Sequence, residues 1–215
     1  AYCRCLRADP LTLAKPTSMN IPIRLISVNT ARAQRTSVAD GRSILTAHGK
    51  QPTAARVEVG PLGLSGDEQA DPTVHGGRGK AVYAYPQEHY AFWKTVRAQA
   101  RAQPWDEEPT PGLMGENLTI AGLMETHAWI GDRLRFANCT LAISKPRMPC
   151  GKFDAALGFK HASKMMVQSG FSGFYLSVLQ EGTLQAGDVA ELLPGPRELT
   201  VAEAFRSKAG RQHRR

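Results

Sequence analysis

The sequence predicts a mainly β fold with a few helices, a mostly antiparallel, barrel-like architecture followed by a short C-terminal helix. Three observations carry this prediction. Short apolar stretches recur along the chain, 20 Gly and 14 Pro punctuate them, and one segment sustains a long helical period. With 215 residues, 42% of them apolar, the chain can bury a core as one domain with a small appendage.

The elements follow in order. Residues 1–18 show no period and read as a disordered or non-native leader, so the barrel domain is placed at residues 19–196 and a short helix with a basic tail at 197–215. IPIRLISVN, after Met19, reads as the first strand. Thr30 to Pro52 is polar and broken by Gly41, Gly49 and Pro52, which predicts a long excursion holding a short hairpin. Ala55 to Val59 alternates as a half-buried strand. A glycine-dense loop then leads to the strand AVYAY. Pro86 can open a helix running from Gln87 to Gln103, with Tyr90, Trp93, Val96 and Ala100 on one face.

Trp129, Ile130, Leu134 and Phe136 precede a turn at Ala137-Asn138, and Cys139, Leu141 and Ile143 share parity beyond it. That pattern is a β-hairpin with one buried face. Gly158 to Leu179 reads as a short helix or loop followed by the strand FYLSVL, and Gly187-Asp188 turns the chain into the strand VAELL. Thr200 and Glu203 are spaced as a capping box for the terminal helix.

Charge excludes one partner class. The net charge is +8, but the last ten residues carry +5 and the first eighteen +2, leaving residues 19–205 at +1. A nucleic-acid domain carries its basic stripe on the folded body, so no nucleic-acid partner is expected. No window reaches the roughly 18 uninterrupted apolar residues of a membrane span, and the opening run lacks the apolar core of a secretory signal. With no disulfide framework among four cysteines, a cytoplasmic protein is expected, with no membrane partner.

Cys150 is the first chemical candidate. It follows Pro149, with Lys145, Arg147 and Lys152 within five residues. Nearby cations favour thiolate over thiol, and the thiolate is both nucleophile and metal ligand. Cys139 shares the parity of core residues and reads as a buried, inert thiol.

The second candidate is the loop Gly63 to Lys80. Glycines such as Gly76 and Gly77 let backbone N–H groups approach an anion, while Arg78 and Lys80 supply positive charge. Neither a phosphate-binding P-loop nor a dinucleotide fingerprint is present. Glu116 and Asn117 place a carboxylate and an amide in a turn able to meet a polar ligand or simply to hold the turn. A Cys-His hydrolase pairing Cys150 with His75 or His127 stays open. The six scattered histidines show no zinc-hydrolase motif.

Taken in order, GLSGDEQADPTVHGG, KAVYAYPQEHYAFW, GENLT, Gly122-Leu123-Met124-Glu125 with Gly131-Asp132, KPRMPCGK and GFYLSVLQEG resemble the MOSC domain family in its YiiM-like branch, over roughly Ile23 to Leu193. The resemblance implies a MOSC-type β-barrel that binds the molybdenum cofactor, Mo-molybdopterin, with Cys150 giving its thiolate to the metal. It implies an oxidoreductase that reduces N-hydroxylated compounds such as hydroxylaminopurines to amines, a detoxification, with no need for pyridoxal phosphate. His75, Gly76, Gly77, Lys80, Asn117, Arg147 and Cys150 are then the cofactor-binding set. Asp67, His75 and Glu116 join Cys150 as candidates for proton delivery or cofactor orientation.

Electrons would come from a separate flavin or iron–sulfur donor protein, since the chain carries no such signature of its own. A non-catalytic cofactor or sulfur carrier using Cys150, and a metal-free thiol hydrolase, are the alternatives. The chain departs from the family where Arg78-Gly79 follows the two glycines and in the segment Leu45 to Lys50. One terminal helix stands where the branch often has three, so the appendage reads as shortened.

Overall fold

The computed structural model describes residues 22–37, 43–69 and 76–212; the expected leader and His75 lie outside the described residues. Strands β1 (Ile23–Thr30), β7 (Val82–Pro86), β8 (Leu118–Ala121), β9 (Arg133–Arg135), β10 (Thr140–Pro146), β11 (Phe174–Gln180) and β13 (Val189–Leu193) form the barrel. They follow the order β13-β9-β10-β11-β7-β8-β1, and β1 pairs with β13 to close the ring. All these pairings are antiparallel except β7 with β8. The barrel is therefore closed, mixed and mostly antiparallel.

Outside the ring, β4 (Gln51–Thr53) adds to β1. The polar excursion holds the expected hairpin, β2 (Gln34–Ser37) with β3 (Ser43–Thr46). A small sheet joins β5 (Val57–Gly60), β6 (Gly63–Leu64) and β12 (Gly182–Leu184).

Strand β7 positions the site. Its five residues are all buried, and alternate side chains enter two different cores. Val82 and Ala84 join the barrel interior with Leu118, Leu141 and Leu176. Tyr83 and Tyr85 face an outer core built with Trp93, Phe153, Met166 and Phe205. That second core needs helices to cover it. They are α1 (Tyr90–Gln99), α2 (Gly151–Leu157), α3 (Ala162–Ser169) and α4 (Val201–Gln212).

The sequence expectations and the structure agree on most elements. The β9–β10 hairpin turns as expected, and Cys139, Leu141 and Ile143 are all buried on one face. Burial pushes the Cys139 thiol up to about 11, which leaves it protonated and inert. The capping box forms in both directions: Thr200 N–H donates to Glu203 at 2.9 Å, and Glu203 N–H donates to Thr200 Oγ1 at 3.2 Å. Such a cap is worth about 1 kcal/mol.

Two expectations are corrected. The helix foreseen from Gln87 to Gln103 opens as a 3₁₀ turn (Gln87–His89) and ends at Gln99, because Arg101 takes φ 57°, outside the helical region. Ala100, foreseen on its buried face, is exposed. Helix α2, directly after Cys150, was not foreseen: its seven residues are too few to establish a helical period.

Candidate functional site

A cavity of ≈ 90 Å³ opens on the outer side of β7 and β11, where Cys150, Arg147, Lys50, Lys80, Tyr83 and Tyr175 meet. Cys150 lies where β10 ends and α2 begins. Its backbone is extended, at φ −125° and ψ 168°, and its side chain makes no capping hydrogen bond. The half-buried thiol is left to line the cavity.

Arg147, three residues earlier, is 5% exposed. Its guanidinium carbon stands 5.1 Å from the Tyr83 ring centre and 4.9 Å from that of Phe153. Nη2 donates to Nε2 of His48 at 3.1 Å. A guanidinium keeps its charge under such burial, and the two aromatic faces compensate part of its lost hydration. The cation is thus fixed in direction beside Cys150.

The opposite wall is built on Asp67. Its Oδ1 accepts from the Ala31 N–H at 2.9 Å and from Lys50, and its Oδ2 accepts from Asn117 Nδ2 at 2.8 Å. The Lys50 and Asp67 side chains are each 7% exposed. Burial lowers the Lys50 pKa, and the Asp67 carboxylate opposes that shift. Breaking one partner of such a pair costs about 3–5 kcal/mol.

Glu116 and Asn117 separate in role. Glu116 is fully buried and outside the cavity lining. Its carboxylate accepts from Tyr90, from the Gly112 and Met114 N–H groups at 2.9 and 3.0 Å, and from Thr119 at 2.8 Å. Burial raises its pKa, and these hydrogen bonds work the other way. Glu116 therefore shapes the 112–119 turn from inside, while Asn117 lines the cavity.

Lys80 closes the third side. It ends the 3₁₀ turn Arg78–Lys80, entered through Gly77 at φ 87°, a conformation that favours glycine. Ser144 Oγ donates to the Gly79 carbonyl at 2.7 Å and pins this turn to β10. Gly76 and Gly77 are half-buried beside it. His127, the other expected partner for the thiol, is exposed and does not line the cavity.

Lys50, Lys80, Arg147 and Lys152 line the cavity against Asp67 and Glu68. The lining thus carries a net positive charge suited to an anionic guest. Burial raises the pKa values of Tyr83 and Tyr175, so both phenols stay protonated and can donate hydrogen bonds. Among the described residues no three His, Cys, Asp or Glu side chains group as metal ligands. In this cavity the chain offers a metal one soft thiol. The donor set, a thiol framed by fixed cations, suits a thiophilic metal carried on an anionic organic ligand.

His48, Lys50, Tyr83 and Tyr175 escaped the sequence reading as site residues. Tyr83 had a signal: its parity is opposite to that of Val82 and Ala84, so it had to leave the barrel core. His48 and Lys50 fall in the Leu45 to Lys50 segment where the chain departs from the family pattern, but nothing local gave either a role, because they reach the cavity through a non-local loop.

The MOSC domain profile matches residues 71–191. The chain belongs to the MOSC domain family. It is 37% identical to the uncharacterized protein YflK of Bacillus subtilis over 85% of this chain and 79% of that one. Against protein YiiM of Escherichia coli it is 34% identical over 73% and 70%. A protein named reductase from Gibberella moniliformis is 30% identical over 80% of this chain, which spans 29% of that longer protein. The crystal structure of YiiM from Geobacillus stearothermophilus superposes with a TM-score of 0.70 at 28% identity, covering 89% of this chain and 86% of that one. MOSC domains are associated with molybdenum cofactor binding, which points this chain to a molybdenum-cofactor-related function. Among the described residues no helix is long and apolar enough to cross a membrane.

Proposed function

We propose that this MOSC protein is a molybdenum-cofactor-dependent reductase that converts N-hydroxylated compounds, such as hydroxylaminopurines, to amines. The observation that carries the reading is the Cys150 thiol sharing one cavity with the buried Arg147 cation and with Lys50 and Lys80. The fungal relative named reductase supports the reaction class.

When bound, the cofactor supplies two-electron removal of an oxygen atom from nitrogen. The reaction balances as R–NH–OH plus two electrons and two protons giving R–NH2 and water. The chain's residues then divide the remaining work. Cys150, as thiolate, holds the metal. Arg147, Lys80 and the N–H groups of Gly76 and Gly77 hold the anionic and pterin edges of the ligand. Asn117 is aimed by the Asp67 carboxylate, which Lys50 holds in place. The Tyr83 hydroxyl is spent on the Ser172 carbonyl at 2.8 Å, so Tyr175 is the phenol left to hold a proton beside the substrate. Asp67 and Glu116 act as positioning residues, and His75 remains the candidate for proton delivery. Electrons arrive from a separate carrier protein.

The test is turnover. Protein made in a host that synthesises the cofactor is given reduced methyl viologen and 6-hydroxylaminopurine. Adenine should form in step with viologen oxidation. Bound molybdenum without adenine formation would favour a cofactor carrier and overturn the reductase reading.

A further inference from the structure

Beside the cavity, three lysines from three separate elements meet on one surface. Lys80 ends the 3₁₀ turn, Lys145 lies on β10, and Lys208 is exposed on α4, which packs against β10. The Lys145 amine stands over the turn, 3.3 Å from where a Cβ on Gly79 would sit. Lys80 also lies over the Tyr175 ring, 6.0 Å from its centre, which joins the cluster to the cavity.

Like charges crowded in this way repel. Lys208 records it: burial and the neighbouring charges of Lys145, Lys80 and Arg211 lower its pKa. Among the described residues no carboxylate forms an ion pair with Lys145 or Lys208. The basic character continues along α4, since residues 206–212 carry Arg206, Lys208 and Arg211 and no Asp or Glu.

We propose that Lys80, Lys145 and Lys208 form a docking face for an acidic electron-carrier protein, which places the carrier's redox group at the Cys150 cavity. This rests on the reductase reading. Lys208 is exposed and Lys80 and Lys145 are half-buried, each on a different element, unlike a closed phosphate pocket with converging donors. Its position favours a redox partner over nucleic acid, because Lys80 lines the cavity and Lys145 stands over the same turn, while residues 19–205 as a whole carry only +1. Rim charges of this kind act mainly on the association rate and its salt dependence.

The experiment compares wild type with K145E/K208E and the milder K145Q/K208Q, using an acidic flavodoxin and an acidic ferredoxin as probes. Neither lysine belongs to the cofactor-binding set. Binding is followed by fluorescence anisotropy from low to physiological salt. At low salt the charge reversal should slow association with the better-binding carrier by about tenfold and flatten its salt dependence, with the Gln pair in between. Carrier-driven turnover should fall in parallel, while viologen-driven turnover stays within about twofold.

Equal binding of the carriers to all three proteins would overturn the docking face. So would failure of both carriers to bind wild type, or tighter binding of a duplex oligonucleotide through the same lysines. Absence of viologen-driven turnover in wild type would instead count against the reductase reading, and the binding comparison would still decide the docking face.

Discussion

Tyr83 and Asn117 are tied in both directions. The Asn117 N–H donates to the Tyr83 carbonyl at 2.8 Å, and the Tyr83 N–H donates to Asn117 Oδ1 at 3.1 Å. The same amide group donates to Asp67 and, at 3.3 Å, to the Asn29 carbonyl. One side chain thereby joins β7, the turn before β8, the end of β1 and the Asp67 wall of the cavity.

Replacing Asn117 with Ala leaves the buried Tyr83 N–H without its acceptor and frees Asp67 on one side. Asn117→Ala should lower stability by about 1–3 kcal/mol, read as a shift of the urea midpoint with an unchanged slope. Asn117→Asp should not rescue it, because a second carboxylate would face Asp67.

Glu116 gives a pH prediction. Its folded-state pKa is raised above 4.5, chiefly by burial. The sign follows: below pH 4.5 the contribution of the protonated group is fully present, and it is lost as pH rises through the raised folded value. Glu116→Gln should flatten that decline in urea titrations run from pH 4 to pH 8. At pH 7 it should still cost about 1–3 kcal/mol, since its amide would meet the Met114 N–H donor.

At Arg147, shape and charge can be separated. Arg147→Met keeps apolar packing against Tyr83 and Phe153 and removes a buried cation, so its Tm should stay near that of wild type. Retained molybdenum should nevertheless fall at least tenfold. Arg147→Lys keeps a charge without the planar stack or the fork to His48, and should be less stable than the Met variant. Thermal melts and metal analysis of both variants check this.

Much of the barrel was legible because its cues are local. Leu141 and Ile143 alternate toward the core, and Thr200 and Glu203 announce a cap by spacing alone. Cys150 and Lys80 stood out for a similar reason, with cations or glycines adjacent in the chain. The rest of the cavity depends on non-local contact. Lys50 meets Asp67 from 17 residues away and His48 meets Arg147 from 99, separations that no periodicity reports. Glu116 was open from the sequence to meeting a ligand or to holding its turn, and only its bonds to Tyr90 and Thr119 show it held inside.

The most direct measurement is the molybdenum content, by plasma mass spectrometry, of wild type and Cys150→Ala made in the same cofactor-competent host. Wild type should carry close to one molybdenum per chain and the variant almost none, with unchanged circular dichroism. Equal metal in the two proteins, or none in wild type, would contradict the assignment of Cys150 as the metal's protein ligand.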